Sequence, residues 1–345
     1  MKVIHIPDTI EINDDIRSLT SVVCHSLSDV PDIIDTWNEG KVVDIEGYYE
    51  NAKINRVYVD RVHVKKAFAE YTAAYNADDP KIKLKIDHTY RVAALCERIA
   101  KAAGMCAYDV ELAWLSGMLH DVGRFEQIKR YNTFPDADSV DHAKFGADLL
   151  FKDGLISTFL KGMVKCTGYK PGALEDRYDS DGVFLYDRLN KSDMEMLELA
   201  IRCHNMYRIP QGLNCREQAF CNVLRDADKV DIFKVNIDTP LEEIYNTTTE
   251  ELMKSDITDE VLEAFDEEHC ILKAIRRTPA DTVIGHVSLA YELVYDESVR
   301  ITVEQGYLAK LMHFHSDNEE TNRKMAMVRE KMDSYVKKRI VEKDA

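Results

Sequence analysis

A mainly α-helical bundle with a small strand-containing segment in front is the fold class the sequence predicts. Two textures along the chain carry that expectation. Residues 1–58 hold short β-branched runs (KVIHI, IEI, SVVCHS, KVVDI, NRVYV) cut by acidic, Pro and Gly turns, as strands are. From about Val62 onward, apolar residues recur at three- and four-residue intervals over long stretches, as amphipathic helices require. The organisation expected is a strand-containing appendage over 1–58, a helical core over 59–240 and a helical extension over 241–345 packing on that core.

The core helices follow in order. The stretch VKKAFAEYTAAY leads into IDHTYRVAALCERIAKAAG, which Gly104 stops. Asp109 is placed to cap VELAWLSGMLHDVG, with Glu111 in its first turn and Gly123 at its end. A polar loop over 130–141 precedes HAKFGADLLF, and CTGYKPGALEDRYDSDG reads as a surface excursion. Ser192 and Glu195 have the spacing of a capping box ahead of DMEMLELAIRCHNMY, which breaks at Pro210. REQAFCNVLRDADKVDIFKV is the last core helix.

Composition narrows the functional classes. With 45% hydrophobic and 31% charged residues the chain is globular in character, and it lacks the roughly 20 consecutive apolar residues a membrane-spanning helix needs. The first residues do not follow a signal-peptide pattern, and eight cysteines without a CxxC pair read as reduced thiols, so a cytoplasmic protein is expected. A net charge of −17 disfavours diffuse attraction to nucleic acid or to an anionic membrane surface. A small anionic substrate then needs a local positive pocket, for which a metal ion is the strongest source.

Six side chains point to such an ion. His88 shares a helical face with Val92, Leu95 and Ile99, His142 with Phe145 and Leu149, His204 with Leu197 and Ile201, and Asp228 with Leu224 and Ile232. Each is either a hydrogen-bonded core group or a ligand. His120 and Asp121 stand side by side in the apolar run, and inward-facing acids demand a cation or several donors. Neutral imidazole and carboxylate suit iron, manganese, zinc and nickel alike. His5, His25, His63, His269, His286, His313 and His315 lack such context and read as surface or structural residues.

The pattern H…HD…D, carried by His88, by His120 and Asp121 in LHDVGRFEQ, and by Asp228 in LRDADKVD, resembles the HD-domain superfamily of metal-dependent phosphohydrolases. The resemblance covers about residues 62–240 and implies an HD-domain helical bundle. Asp226 competes with Asp228 for the closing position. His142 and His204 resemble the extra histidines of members that hold two metals, which implies a centre of two divalent ions bridged by Asp121. His204 is followed by Asn205, not by a second His, and no GYP signature follows, which separates the chain from the cyclic-dinucleotide branch. The long interval from His142 to His204 is expected to carry an insertion that shapes or covers the pocket.

The resemblance implies hydrolysis of a phosphomonoester or phosphodiester of a nucleotide or other small phosphorylated metabolite. Asp121 is expected to bridge the metals and orient the nucleophile. Arg124, a turn further on, reads either as a fork for substrate phosphate or as a helix-end cation, and Lys144 is a second candidate for phosphate. Six-ligand sites of this kind also resemble those of mixed-valent di-iron oxygenases, and a regulatory module without catalysis is a third class. No stable nucleic-acid or membrane partner is expected, and a homodimer is compatible with the sequence.

Overall fold

The computed structural model describes residues 59–160, 191–240 and 247–341, together with Glu242 and two short pieces, Ile4–His5 and Val22–Val23. Those pieces, β1 (Ile4–His5) and β2 (Val22–Val23), pair in parallel. The rest of the expected strand-containing appendage, the surface excursion at 166–182 and the Ser192 half of the expected capping box lie outside the described residues or side chains. What is described is mostly helical.

The core begins with α1 (Arg61–Thr72), capped by Asp60, whose carboxylate accepts from His63 N. The long α2 (Pro80–Ala102) has Pro at its first position, where no amide hydrogen is needed, and Asp79 accepting from Lys81 N. Its inner face buries Ile82, His88, Val92, Leu95, Cys96 and Ile99, so the first histidine sits in line with the core residues. Against it packs α3 (Ala107–Leu119). A Cβ on Gly117 would meet Ala93 Cα at 2.6 Å, so only glycine allows this approach. The close crossing lies one turn from His120 and brings that ring toward His88.

The structure corrects two local expectations here. α3 starts at Ala107 with Cys106 in the capping position, while Asp109 lies in the first turn and binds Arg216 at 2.6 Å. The helix also stops at Leu119, and α4 (Val122–Tyr131) starts afresh, leaving His120 and Asp121 at the joint. Gly123 is therefore no helix end. A Cβ there would lie 2.3 Å from His142 O and 2.7 Å from Gly146 N, so the residue lets α4 press against α5 (His142–Ala147).

A π-turn at Asp148–Lys152 and the short α6 (Ile156–Leu160) follow. The aromatic residues Phe68, Tyr71, Phe125 and Phe159 pack edge to face, with the Phe68 and Phe125 centroids 5.8 Å apart, and fix α1 and α6 under α4. α7 (Lys191–Cys203) runs up to His204, and α8 (Cys215–Asp238) opens with a capping box of Asn214 and Glu217. α8 lies against both α2 and α7.

Beyond α8 come α9 (Thr249–Lys254), α10 (Asp259–Asp266), α11 (Pro279–Val287), α12 (Asp296–Gln305), α13 (Tyr307–Met312) and α14 (Glu319–Val341). α12 and α13 pack on α8. Asp226, fully buried on α8, accepts from Val294 N, Tyr295 N and the Ser298 hydroxyl at 2.7–3.0 Å. That carboxylate ties the start of α12 to the core. Among the described residues no helix is long and apolar enough to cross a membrane.

Candidate metal centre

Four imidazole rings stand in file at the junction of α2, α3, α5 and α7. Neighbouring centroids are 5.3 Å apart for His88 and His120, 5.1 Å for His120 and His204, and 5.0 Å for His142 and His204. All four are buried. Each ring gives its Nδ1 to an acceptor of the protein: His88 to Asp231 Oδ2 at 2.6 Å, His120 to Gly117 O at 2.8 Å, His142 to Asp136 Oδ2 at 2.7 Å and His204 to Ile201 O at 2.7 Å. Carbonyls and ionised carboxylates only accept, so each Nδ1 carries hydrogen and each neutral ring turns a bare Nε2 lone pair inward.

Asp121 sits between these lone pairs. Its Oδ2 is 3.5 Å from His88 Nε2 and 3.4 Å from His120 Nε2, while its Oδ1 is 3.5 Å from His142 Nε2 and 3.8 Å from His204 Nε2. Asp228 Oδ1 joins the first pair, 3.2 Å from His88 Nε2. All six expected residues are thus brought together, and the donors of His88, His120 and Asp228, like those of His120, Asp121 and His204, lie within 4.8 Å of one another. Asp226 is turned away, committed to α12.

Two observations test whether a cation fits. The Nε2 atoms of His88 and His120 approach to 3.3 Å, and those of His142 and His204 to 3.1 Å, with no hydrogen between neutral rings to hold them. Asp121 Oδ1 is buried with no hydrogen-bond donor. Converging lone pairs and an orphaned carboxylate oxygen are unfavourable alone and are satisfied together by a metal ion. The donor set, imidazole and carboxylate, suits a divalent transition metal.

The electrostatics agree. Burial lowers the pKa of His204 to about 3, helped by His142 and His120, and burial with Arg124 lowers that of His142, so both lone pairs are free at neutral pH. Burial alone would raise Asp121, yet Lys85 and His120 outweigh it and hold the carboxylate ionised. For His88, burial and Lys85 push downward, but the carboxylates of Asp228 and Asp231, which accept from the protonated ring, prevail and its pKa rises. The same negative charge that draws a proton there draws a metal cation.

Residues 86–233 match the family model of the HD domain. The chain carries an HD domain. HD domains belong to a superfamily of metal-dependent hydrolases and bind divalent metals. No curated protein and no solved structure gives a match to the chain.

Around this HD-domain centre stand groups that sequence reasoning missed. Asp231 orients His88 and is held by Arg91 at 2.6 Å, and Asp136 orients His142. Asp231 lies one turn past Asp228, so its helical offset was a usable signal; Asp136, in a polar loop, offered none. Buried Arg225 donates to the carbonyls of Cys203 and Met206 and fixes the turn bearing His204. Lys85, one turn before His88, places its ammonium 2.7 Å from Asp121 Oδ2.

Arg124 and Lys144 stand differently from one another. Arg124 Nη1 donates to Gln127 Oε1 at 2.7 Å, Phe134 O at 2.5 Å and Asp136 Oδ1 at 3.0 Å, so the guanidinium is tied to the 134–136 loop. Its Nε lies 3.8 Å from Asp121 Oδ1. Lys144 is more than half exposed and pairs with Asp141 at 3.0 Å.

Proposed function

We propose that this chain is a metal-dependent phosphohydrolase acting on a nucleotide or another small phosphorylated metabolite. The observation that carries the reading is the division of the four imidazoles into two pairs by the two oxygens of Asp121. Such a set suits two divalent ions, with His88, His120 and Asp228 serving one, His142 and His204 the other, and Asp121 both. When bound, ions of this kind acidify a water molecule at neutral pH and stabilise charge on phosphoryl oxygens.

The remaining work falls to the protein. Asp231 and Asp136 fix the tautomer and direction of His88 and His142, so the lone pairs are set before substrate arrives. Asp121 Oδ1, without a donor of its own, can accept a hydrogen from the attacking water and aim it. Arg124 acts as a positioning residue, since it holds the loop that carries Asp136. Tight burial of the centre keeps the dielectric low, which strengthens each of these interactions.

The test is elemental analysis of purified protein followed by a phosphate-release screen over nucleotides, sugar phosphates and dinucleotides, with oxygen uptake followed in parallel. Metal-dependent phosphate release without oxygen consumption is expected. Oxygen uptake by air-sensitive iron with no phosphate release would replace this reading with that of an oxygenase.

A further inference from the structure

The charged groups around the centre are mostly neutralised in pairs. Arg91 balances Asp231 at 2.6 Å, Arg124 balances Asp136 at 3.0 Å, and Lys144 balances Asp141 at 3.0 Å. Lys85 is different. Its Nζ donates to Asp121 Oδ2 at 2.7 Å, which is its one polar contact among the described residues, and its side chain remains 16% exposed. The ammonium also stands 5.8 Å from the centre of the Phe134 ring, on the loop that Arg124 anchors. Arg124 is similarly exposed and lies 3.8 Å from Asp121 Oδ1 through Nε, but its Nη1 is bound to the 134–136 loop, whereas the Lys85 ammonium makes the direct bond to Asp121 and is open to an entering group.

We propose that Lys85 binds a terminal oxygen of the scissile phosphoryl group and selects phosphomonoester dianions over phosphodiesters, an inference that rests on the phosphohydrolase reading above. A monoester dianion brings twice the charge of a diester and one more terminal oxygen, and the Coulomb attraction to a fixed ammonium grows with that charge. An ammonium is a compact point charge with three donors, so it can bind Asp121 and a phosphoryl oxygen together. Arg124 cannot do the same with Nη1, which already donates to three acceptors. The position on α2, one turn before His88, fixes the ammonium relative to the metal-ligand set.

The experiment compares metal-loaded wild type with Lys85→Met, Lys85→Gln and Lys85→Arg. Hydrolysis of p-nitrophenyl phosphate and of bis(p-nitrophenyl) phosphate is measured, together with calorimetric binding of orthophosphate, chiefly dianionic at about pH 8. Loss of one charged hydrogen bond predicts a fall of roughly 10- to 100-fold in monoester kcat/KM and in orthophosphate affinity for Lys85→Met and Lys85→Gln. The diester rate should fall far less, metal content should hold, and Lys85→Arg should recover part of the loss. Equal effects on both esters, unchanged orthophosphate binding, or metal loss in both neutral variants would overturn the proposal. Wild type that hydrolyses neither ester but binds orthophosphate through Lys85 would count against the phosphohydrolase reading alone; absence of that binding too would remove both.

Discussion

The Nε2 atoms of His142 and His204 face each other at 3.1 Å while both Nδ1 atoms already donate, to Asp136 and to Ile201 O. Neutral rings cannot bond to one another in that arrangement. On the proposed reading the pair shares a positive centre, and the groups that hold the two Nδ1 hydrogens belong to the site.

Asp231→Asn and Asp136→Asn should each weaken metal binding by about 10- to 100-fold without removing a ligand, because outer carboxylates set the basicity and direction of the imidazoles. Competition with a chromophoric chelator measures this. Affinities equal to wild type would show that the two acids only support the fold.

Asp226 and Asp228 should separate by phenotype. Asp226→Ala strands the amides of Val294 and Tyr295 and should cost about 3 kcal/mol in denaturant unfolding while leaving metal content intact. Asp228→Ala should lose metal with a smaller change in stability. Exchanged phenotypes would make Asp226 the ligand.

Gly123→Ala places a methyl group 2.3 Å from His142 O, in a contact between backbones that has no flexible side chain to yield. A loss of about 1–3 kcal/mol in stability is expected, with reduced metal content because α5 carries His142. Calorimetry and metal analysis of the same sample decide it, and a variant neutral in both would contradict the close-packing account.

The candidate site was more legible in sequence than its supports. His88, His204 and Asp228 have buried apolar neighbours at three- or four-residue offsets in Val92, Ile201 and Leu224, which such offsets reveal, whereas Phe145 and Leu149, expected to share the face of His142, are only half-buried. The break at His120 and Asp121 was hidden because the apolar run continues through it; beside it stand a local bond from His120 to Gly117 O and a tertiary one from the Tyr71 hydroxyl to Val122 O. Lys85 stands beside Lys81 and Lys83 in sequence, with no local feature to set it apart. Its partner is 36 residues away, and no local pattern shows a contact of that kind.

Stability should also depend on His286, one of the histidines taken as surface or structural. Burial, with Arg276 and Lys273 nearby, lowers its pKa to about 3 in the folded chain, against about 6.5 unfolded. The unfolded state then binds the extra proton, so this contribution is complete above about pH 6.5 and fades as pH falls toward 3. His286→Leu should flatten the acid loss of stability by on the order of 2–3 kcal/mol near pH 4. Parallel pH profiles for wild type and variant would show that the ring titrates normally.

The most direct measurement is the metal content of the purified full chain beside that of Asp121→Ala, with helicity followed by circular dichroism. Divalent transition metal bound in wild type and stripped from the variant, at unchanged helicity, is the predicted result. Wild-type protein that takes up no such metal, or a variant that keeps the full complement, would contradict a centre organised by Asp121.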